Sequence, residues 1–444
     1  MDQVGLRQKC VSDVESRSLK RRDHGSHRGP VYHSTWIEVN MAAVSFTRED
    51  DQSEKICKLQ SIELFAGAGG LGMGFSNSGV HHQAVVEWSK HACETLRVNK
   101  RNGVEPVAQW ADVTEGDVRN FSFDNFSELD LITGGPPCQP FSMGGKHRGF
   151  LDERDMFPQA VRAVREVRPR AFVFENVKGL KRAAFYNYFS YIHLQLEFPS
   201  LIANQGEEWL AHLSRLEQHK TSGVSSEYHV VTRLVNAANY GVPQKRERVF
   251  FVGFRKDIHQ PWSFPEETHS ADALLHDQWA SGDYWERHRV AKKNRPEFPF
   301  KSSKKIDALK ELGVSMLGKP WLTVRDAICD LPDPEGKQGS LIQAHRFQPG
   351  ARVYPGHTGS PLDEPAKALK AGDHGVPGGE NMLRRPDGSV RYFTVRECAR
   401  IQTFPDDFVF QGSWGEIMRQ LGNAVPVQLA QTVAGGVCQL LRTA

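Results

Sequence analysis

The chain has no C-x-x-C pair and no Cys/His cluster: its seven cysteines, at positions 10, 57, 93, 138, 329, 398 and 438, are odd in number and scattered. That excludes a disulfide framework and a structural zinc site as organising devices, and no metal is expected. Free thiols fit a reducing compartment, so a cytoplasmic location is expected. No run of 18 apolar residues occurs, so no membrane span is expected, and the first residues lack the apolar centre of a signal peptide. Internal repeats are absent. A strong charge of one sign is absent too: the formal net charge is +3. What remains is an ordinary globular composition, 39% apolar and 25% charged over 444 residues, enough for about two to three domains at ~150 residues each.

Residues 1–55 are polar, with a basic cluster Lys20-Arg21-Arg22 and little periodicity, and are expected to form a basic, disordered leader. From Lys58, short β-rich runs alternate with helical spacing. Strands are expected at 61–65, 84–88, 129–133, 171–177, 228–237 and 248–254, and helices at 90–100 and 157–167. This alternation predicts βαβ units and an α/β fold with a doubly wound, mostly parallel sheet. Residues 181–222 interrupt it with a helical insertion. After Phe254 the rhythm is lost, and 355–379 alone holds six Gly and four Pro. Within 283–310, nine Lys/Arg stand against four acids, with Tyr284, Trp285, Phe298 and Phe300 between them. Such a mixture suits a nucleic-acid surface or a solvated charged loop. Helical patterning returns at 394–402 and 427–441. The expected units are 1–55, 56–257, an inserted 258–390, and 391–444.

Two loops carry chemistry. Gly67-Ala68-Gly69-Gly70-Leu71-Gly72 fits G-x-G-x-x-G between a strand and a helix, and Glu87 follows 20 residues after the first glycine. Glycines let the backbone approach a ligand and the acid binds ribose hydroxyls, a nucleoside-cofactor pattern that does not separate NAD, FAD and S-adenosylmethionine. Trp88 can stack on an adenine or be a sheet-edge tryptophan. Asp112 can bind the adenine amino group or cap a turn. The second loop, Gly134-Gly135-Pro136-Pro137-Cys138-Gln139-Pro140-Phe141-Ser142, sets a thiol on a stiff turn at a strand end, where open α/β sheets bind ligands.

The ordered set of motifs resembles the DNA cytosine-5 methyltransferases of the bacterial restriction–modification type. It comprises Glu63-Leu64-Phe65-Ala66-Gly67-Ala68-Gly69-Gly70, Glu87-Trp88, Gly135-Pro136-Pro137-Cys138-Gln139, Phe174-Glu175-Asn176-Val177, Gln244-Lys245-Arg246-Glu247-Arg248, Arg396-Glu397-Cys398-Ala399-Arg400 with Gln402-Thr403-Phe404-Pro405, and Gly422-Asn423-Ala424-Val425-Pro426. The match runs from about residue 58 to the C-terminus.

The resemblance implies a Rossmann-like, S-adenosylmethionine-dependent methyltransferase fold whose insert, 258–390, recognises the target. Cys138 would be the nucleophile toward C6 of a flipped cytosine in duplex DNA. Glu175 would engage N3 and the exocyclic amine, and Arg248, with Arg246 less directly, would hold the base carbonyl and nearby backbone. The cofactor would lie against Phe65, Gly67, Gly69, Gly70, Glu87, Trp88, Asp112, Pro136 and Asn423, leaving S-adenosylhomocysteine as product. Ser142, Lys146, Arg148 and Gln244 would contact DNA. The enzyme would act as a monomer, with a cognate restriction endonuclease as its functional counterpart. A nicotinamide or flavin oxidoreductase, resting on the glycine loop alone, leaves Cys138, Glu175 and the 244–248 run unexplained. A catalytically dead nucleic-acid-binding relative is opposed by the presence of both Cys138 and Glu175. A tRNA-directed family member is a closer competitor, from which the basic stretch of the insert leans away toward duplex DNA.

Overall fold

The computed structural model of the chain describes residues 58–127, 129–137, 155–311, 316–353, 355, 357–371 and 381–444. The leader and four expected site residues, Cys138, Ser142, Lys146 and Arg148, lie outside the described residues.

Apolar strands build the centre. They are β1 (Leu59–Leu64), β2 (Val80–Glu87), β3 (Val113–Glu115), β4 (Leu131–Gly134), β5 (Ala171–Val177), β6 (Tyr228–Asn236), a two-residue β7 (Gln244–Lys245) and β8 (Glu247–Arg255). All but β7 join one sheet in the order β3-β2-β1-β4-β5-β8-β6. The pairs from β3 to β5 are parallel, and β8 runs antiparallel to both neighbours. Strands covered on both faces read as continuous apolar runs, as Ala171-Phe172-Val173-Phe174 does. Alternate side chains enter opposite cores. Ile62, Leu64, Ile132, Phe172, Phe174 and Phe251 pack on one face with α3 (Phe157–Val167) and α4 (Tyr186–Glu197). Leu131, Val173, Phe250 and Val252 pack on the other with α1 (Gly70–Asn77) and α12 (Val427–Thr443). The order reverses direction between β1 and β4, the switch point where doubly wound sheets bind ligands.

Helix α2 (Lys90–Arg101) follows β2, and α5 (Trp209–Thr221) follows α4. The stretch 181–222 thus holds two α-helices, and Trp209 lies against Tyr188 and Tyr191 of α4. Beyond β8 come short pieces: β9 (His269–Ser270), α6 (Ala271–Leu275), α7 (Asp283–Arg287), α8 (Ser303–Glu311), β10 (Lys319–Pro320), α9 (Val324–Ile328), β11 (Ser360–Pro361), β12 (Ala366–Lys367), β13 (Met382–Arg384) and β14 (Val390–Tyr392). Leu274, Tyr284, Trp285 and Val290 form a small separate core there. The region is tied to the segment that leads into β8 by β12, which pairs with β7 through Ala366 and Gln244 in a separate two-stranded sheet. Helix α10 (Val395–Ile401) starts in a capping box, the Thr394 hydroxyl accepting from Glu397 N while the Glu397 carboxylate accepts from Thr394 N. Helix α11 (Trp414–Asn423) leads to α12.

The apolar residues of α12 recur every three to four positions, at Leu429, Ala430, Val433, Ala434, Val437, Cys438 and Leu441, and all are buried. Burying one Leu or Val stabilises by roughly 1.5–3 kcal/mol. Helix α12 lies so close to α1 that a Cβ on Gly74 would fall 2.4 Å from Ala430 Cβ. The stretch 414–443 is apolar enough for a membrane span by composition, yet it is two helices, broken at 424–426, and two-thirds of its apolar window (67%) is packed inside.

Candidate active site

Parallel strands bring their carboxyl ends to one edge, and the register shows what meets there. Leu64 pairs with Val86 and with Gly134, Gly134 pairs with Phe174, and Glu87 pairs with Glu115. Since β8 runs the other way, its first residues arrive at the same edge, with Arg248 opposite Val177. The glycine loop, Glu87-Trp88, the Pro-Pro turn, Glu175 and Arg248 are therefore neighbours by topology.

In the glycine loop the chain turns sharply. Phe65 takes a left-handed conformation (φ 54°), unusual for a residue with a β-carbon, and Gly67 and Gly69 follow with positive φ. Gly67 donates its backbone N–H to Glu87 Oε2 at 2.8 Å, and Ser89 N donates to Oε1 at 2.7 Å. The acid that ends β2 thus holds the loop that ends β1. Burial pushes the Glu87 carboxyl up, and these amides pull it back. A Cβ on Gly67 would meet nothing within 4 Å, so the loop opens onto free space. Trp88 is 74% exposed beside it. An open cradle, an acid with a lone pair left on each oxygen and a bare aromatic face fit a nucleoside cofactor. Gly70 has another reason for its size: a Cβ there would lie 2.2 Å from Val425 O. That contact sets the 422–426 segment, with the exposed Asn423, against the start of α1.

Beneath the loop, Glu63 of β1 is buried and pushed up to about 8 by desolvation, only partly offset by the Thr133 hydroxyl and the Gly72 backbone amide. Its Oε2 accepts from Thr133 Oγ1, and its Oε1 has no hydrogen-bond partner among the described residues. Nothing in the expected site pointed to this group.

At the end of β4, Asn176 Nδ2 donates to Pro136 O at 2.9 Å, and Met156 N donates to Pro137 O at 2.9 Å. The turn that leads into Cys138 is thereby held at both prolines. A Cβ on Gly135 would lie 3.4 Å from Glu175 Oε2, which puts the Glu175 carboxylate against this turn. Arg248 Nε lies 2.7 Å from Glu175 Oε1. This is an ion pair without an aligned N–H, because Oε1 has no hydrogen-bond donor among the described residues. Burial raises the Glu175 carboxyl from the ordinary range, with Arg248 and then Arg246 pulling it down.

Other expected site residues sit elsewhere. Arg246 is fully buried, its guanidinium donating to Leu369 O at 3.0 Å and Gly422 O at 2.7 Å. Gln244 is buried as well: its Nε2 donates to Gln402 Oε1 at 3.0 Å and its Oε1 accepts from Leu369 N at 2.9 Å. Both join β7 to the insert and to the C-terminal segment, and the Gln244 amide, expected at the DNA, bonds within the protein. Asp112 also stands apart from the glycine loop. It stands at the entry of β3, at the far edge of the sheet, 97% exposed and paired with Lys100 Nζ at 2.6 Å. The acid on the carboxyl edge beyond β3 is Asp117, two residues past the end of the strand, whose carboxylate accepts from Arg119 N at 2.9 Å. The signal that would have found it is the rule that ligands gather after a strand, not before it.

Fold and edge together define a doubly wound α/β protein with an open nucleoside-cofactor edge. The chain matches the family C-5 cytosine-specific DNA methylase over residues 59–198 and 212–439. It is 32% identical over 391 residues to the Type II methyltransferase M.PspPI of a Psychrobacter strain, covering 86% of this chain and 80% of that one. It is 30% identical over 386 residues to M.NgoMIV of Neisseria gonorrhoeae, covering 86% and 98%. Among solved structures, a DNMT2 mutant of Spodoptera frugiperda shares the fold with a TM-score of 0.50 at 16% identity, covering 86% of this chain and 99% of that one. The chain belongs to the C-5 cytosine-specific DNA methylases, and within them to the Type II restriction–modification enzymes. Membership implies S-adenosylmethionine as methyl donor and DNA as substrate.

Proposed function

We propose that this enzyme methylates one cytosine of a specific duplex sequence after flipping it out of the helix, through a covalent bond from Cys138 to C6. The observation that carries this reading is the meeting of the Pro136-Pro137 turn with the Glu175–Arg248 pair at the edge that also holds the glycine loop.

Cytosine C5 is a poor nucleophile. Addition of the Cys138 thiolate to C6 pushes electrons toward C5 and N3, and splits one hard step into easier ones. The developing charge at N3 calls for a proton donor. Glu175 suits this, because its buried carboxyl keeps a proton at higher pH than an ordinary glutamate does. Arg248 fixes that carboxyl and offers further N–H groups to the base carbonyl. Bound against Phe65, Gly67, Gly69, Glu87, Trp88, Asp117, Pro136 and Asn423, S-adenosylmethionine would supply an electrophilic methyl group for C5. Loss of the C5 proton then lets Cys138 leave and restores the ring. Flipping costs a few kcal/mol of stacking and pairing. Ser142, Lys146 and Arg148, directly after the nucleophile, are assigned to the DNA backbone, and the 258–390 region to reading the target. Methylation of that site would protect DNA from a cognate endonuclease in the cytoplasm.

Bisulfite sequencing of plasmid from expressing cells gives the target. A duplex with 5-fluorocytosine at that position should then form a denaturant-resistant complex when cofactor is present, since fluorine cannot leave as a proton does. Cys138→Ala should form no complex and methylate nothing, yet bind cofactor as wild type does. Turnover by that variant would overturn the nucleophile.

A further inference from the structure

The helical stretch 181–222 supplies none of the site residues, and the family match leaves out 199–211 within it. That gap holds the link between α4 and α5 together with Trp209, the first residue of α5.

Tyr188 and Tyr191 stand three residues apart on one face of α4, and both are buried. Trp209 closes on them, edge-on to Tyr188 at 5.9 Å and tilted against Tyr191 at 5.7 Å. Three residues further along α5, His212 accepts from Tyr191 Oη at 2.9 Å and donates to Leu201 O at 2.8 Å. Phenylalanine at 188 would fill this box as well as tyrosine does. A buried hydroxyl is costly unless it finds a partner, and the Tyr188 hydroxyl donates to the Asp155 carboxylate.

Asp155 stands in the sequence at the far end of the segment that Cys138 opens. Its Oδ1 accepts from Phe157 N at 3.2 Å, at the start of α3. The next residue, Met156, donates its N–H to Pro137 O at 2.9 Å. The aromatic box, the start of α3 and the Pro136-Pro137 turn are therefore one connected series, with a charge-assisted bond in the middle. A second tie, from Asn176 to Pro136 O, joins the same turn to β5. An attacking group needs such ties, because a misplacement of about 1 Å can cost roughly 10²-fold in rate.

We propose that Tyr188 is a positioning residue for the nucleophile: through Asp155 and Met156 it steadies the turn that leads into Cys138, and α5, through Trp209, keeps Tyr188 in place. This rests on the reading that Cys138 attacks the base. The helical insertion is then a brace for the catalytic turn.

Tyr188→Phe keeps the ring and removes only the hydroxyl. At saturating duplex and donor its rate of covalent trapping on the 5-fluorocytosine duplex should fall roughly tenfold, the worth of a hydrogen bond to a charged group. Its affinity for the donor should stay that of wild type. Tyr228→Phe is the control: it loses a buried hydroxyl that donates to Pro169 O at 2.8 Å, at the opposite end of the strands from the turn, and should trap at the wild-type rate. Asp155→Ala should trap slowly too, and adding Tyr188→Phe to it should slow it no further, since the hydroxyl then has no carboxylate to hold. Wild-type trapping by Tyr188→Phe, equal slowing in Tyr228→Phe, or additive losses in the double variant each overturns the proposal alone. A wild type that is never trapped overturns it together with the nucleophile.

Discussion

Replacing Glu63 by glutamine should stabilise this protein at neutral pH and leave it unchanged in mild acid. Glu63 is fully buried between β1 and β4, and its carboxyl is raised from 4.5 to about 8. Below pH 4.5 the folded and unfolded chains both hold the proton, and the group adds no pH dependence. Between 4.5 and 8 the folded chain keeps a proton that the unfolded chain has released, so stability falls by roughly 1.4 kcal/mol per pH unit. Two and a half units of that at pH 7 come to roughly 3 kcal/mol, an upper figure for a buried group. Glutamine is neutral throughout, matches the side chain in shape and can still bond to Thr133, so it removes the penalty. It loses about 1 kcal/mol at most from altered hydrogen bonding. Urea midpoints for both proteins from pH 5 to 8.5 are the assay. Their separation should open steadily as pH rises and level off near 8. A separation independent of pH would mean that Glu63 is ionised in the fold, and would refute a neutral acid beneath the cofactor loop.

Glu175→Gln should lower kcat by 10²–10⁴ through loss of the proton at N3, and should abolish the alkaline limb that the raised carboxyl gives the wild-type rate. A rate profile of unchanged shape would remove Glu175 from proton transfer. Asp117→Ala should weaken cofactor binding about tenfold, a hydrogen bond's contribution, whereas Asp112→Ala should leave it alone; calorimetric titration of both separates the two edges of β3. Gly74→Ala places a methyl 2.4 Å from Ala430 Cβ, an overpacking that should cost about 1–3 kcal/mol. Circular dichroism melting would show it, and a melting point equal to wild type would mean that α12 can shift away from α1.

The strands of the sheet were legible because β1, β2, β5, β6 and β8 are apolar runs bounded by turn residues, and the loops of the site because they follow those strands. Asp112 precedes its strand, and the sequence pattern before it hides this. Val104, Val107 and Trp110 look like the body of a third strand, but Trp110 turns inward and packs on His82, and the strand itself is only Val113–Glu115. An apolar side chain spent on packing beneath a helix reads the same as one in a sheet. The burial of Arg246 within the Gln244–Arg248 run was not legible, because sequence shows charge and not the carbonyls of Leu369 and Gly422 that satisfy it. Helix α11 went unseen: ten residues ending in Gly-Asn carry too short a period. Only long-range pairing could reveal either.

The contact between Gly70 and the Val425 carbonyl has a consequence for synthesis on the ribosome. A nascent chain that has emerged through Arg400 already contains the Pro-Pro turn, Glu175 and Arg248. Its first helix still has a bare apolar flank where α12 will lie, and its glycine loop lacks the support of the 422–426 segment. Loop closure over some 350 residues is slow and must precede the docking of α12. The glycine loop, proposed to hold the methyl donor, is therefore finished last, and a ribosome stalled late in the message makes a chain that holds Glu175 and Arg248 and has no completed loop beside them.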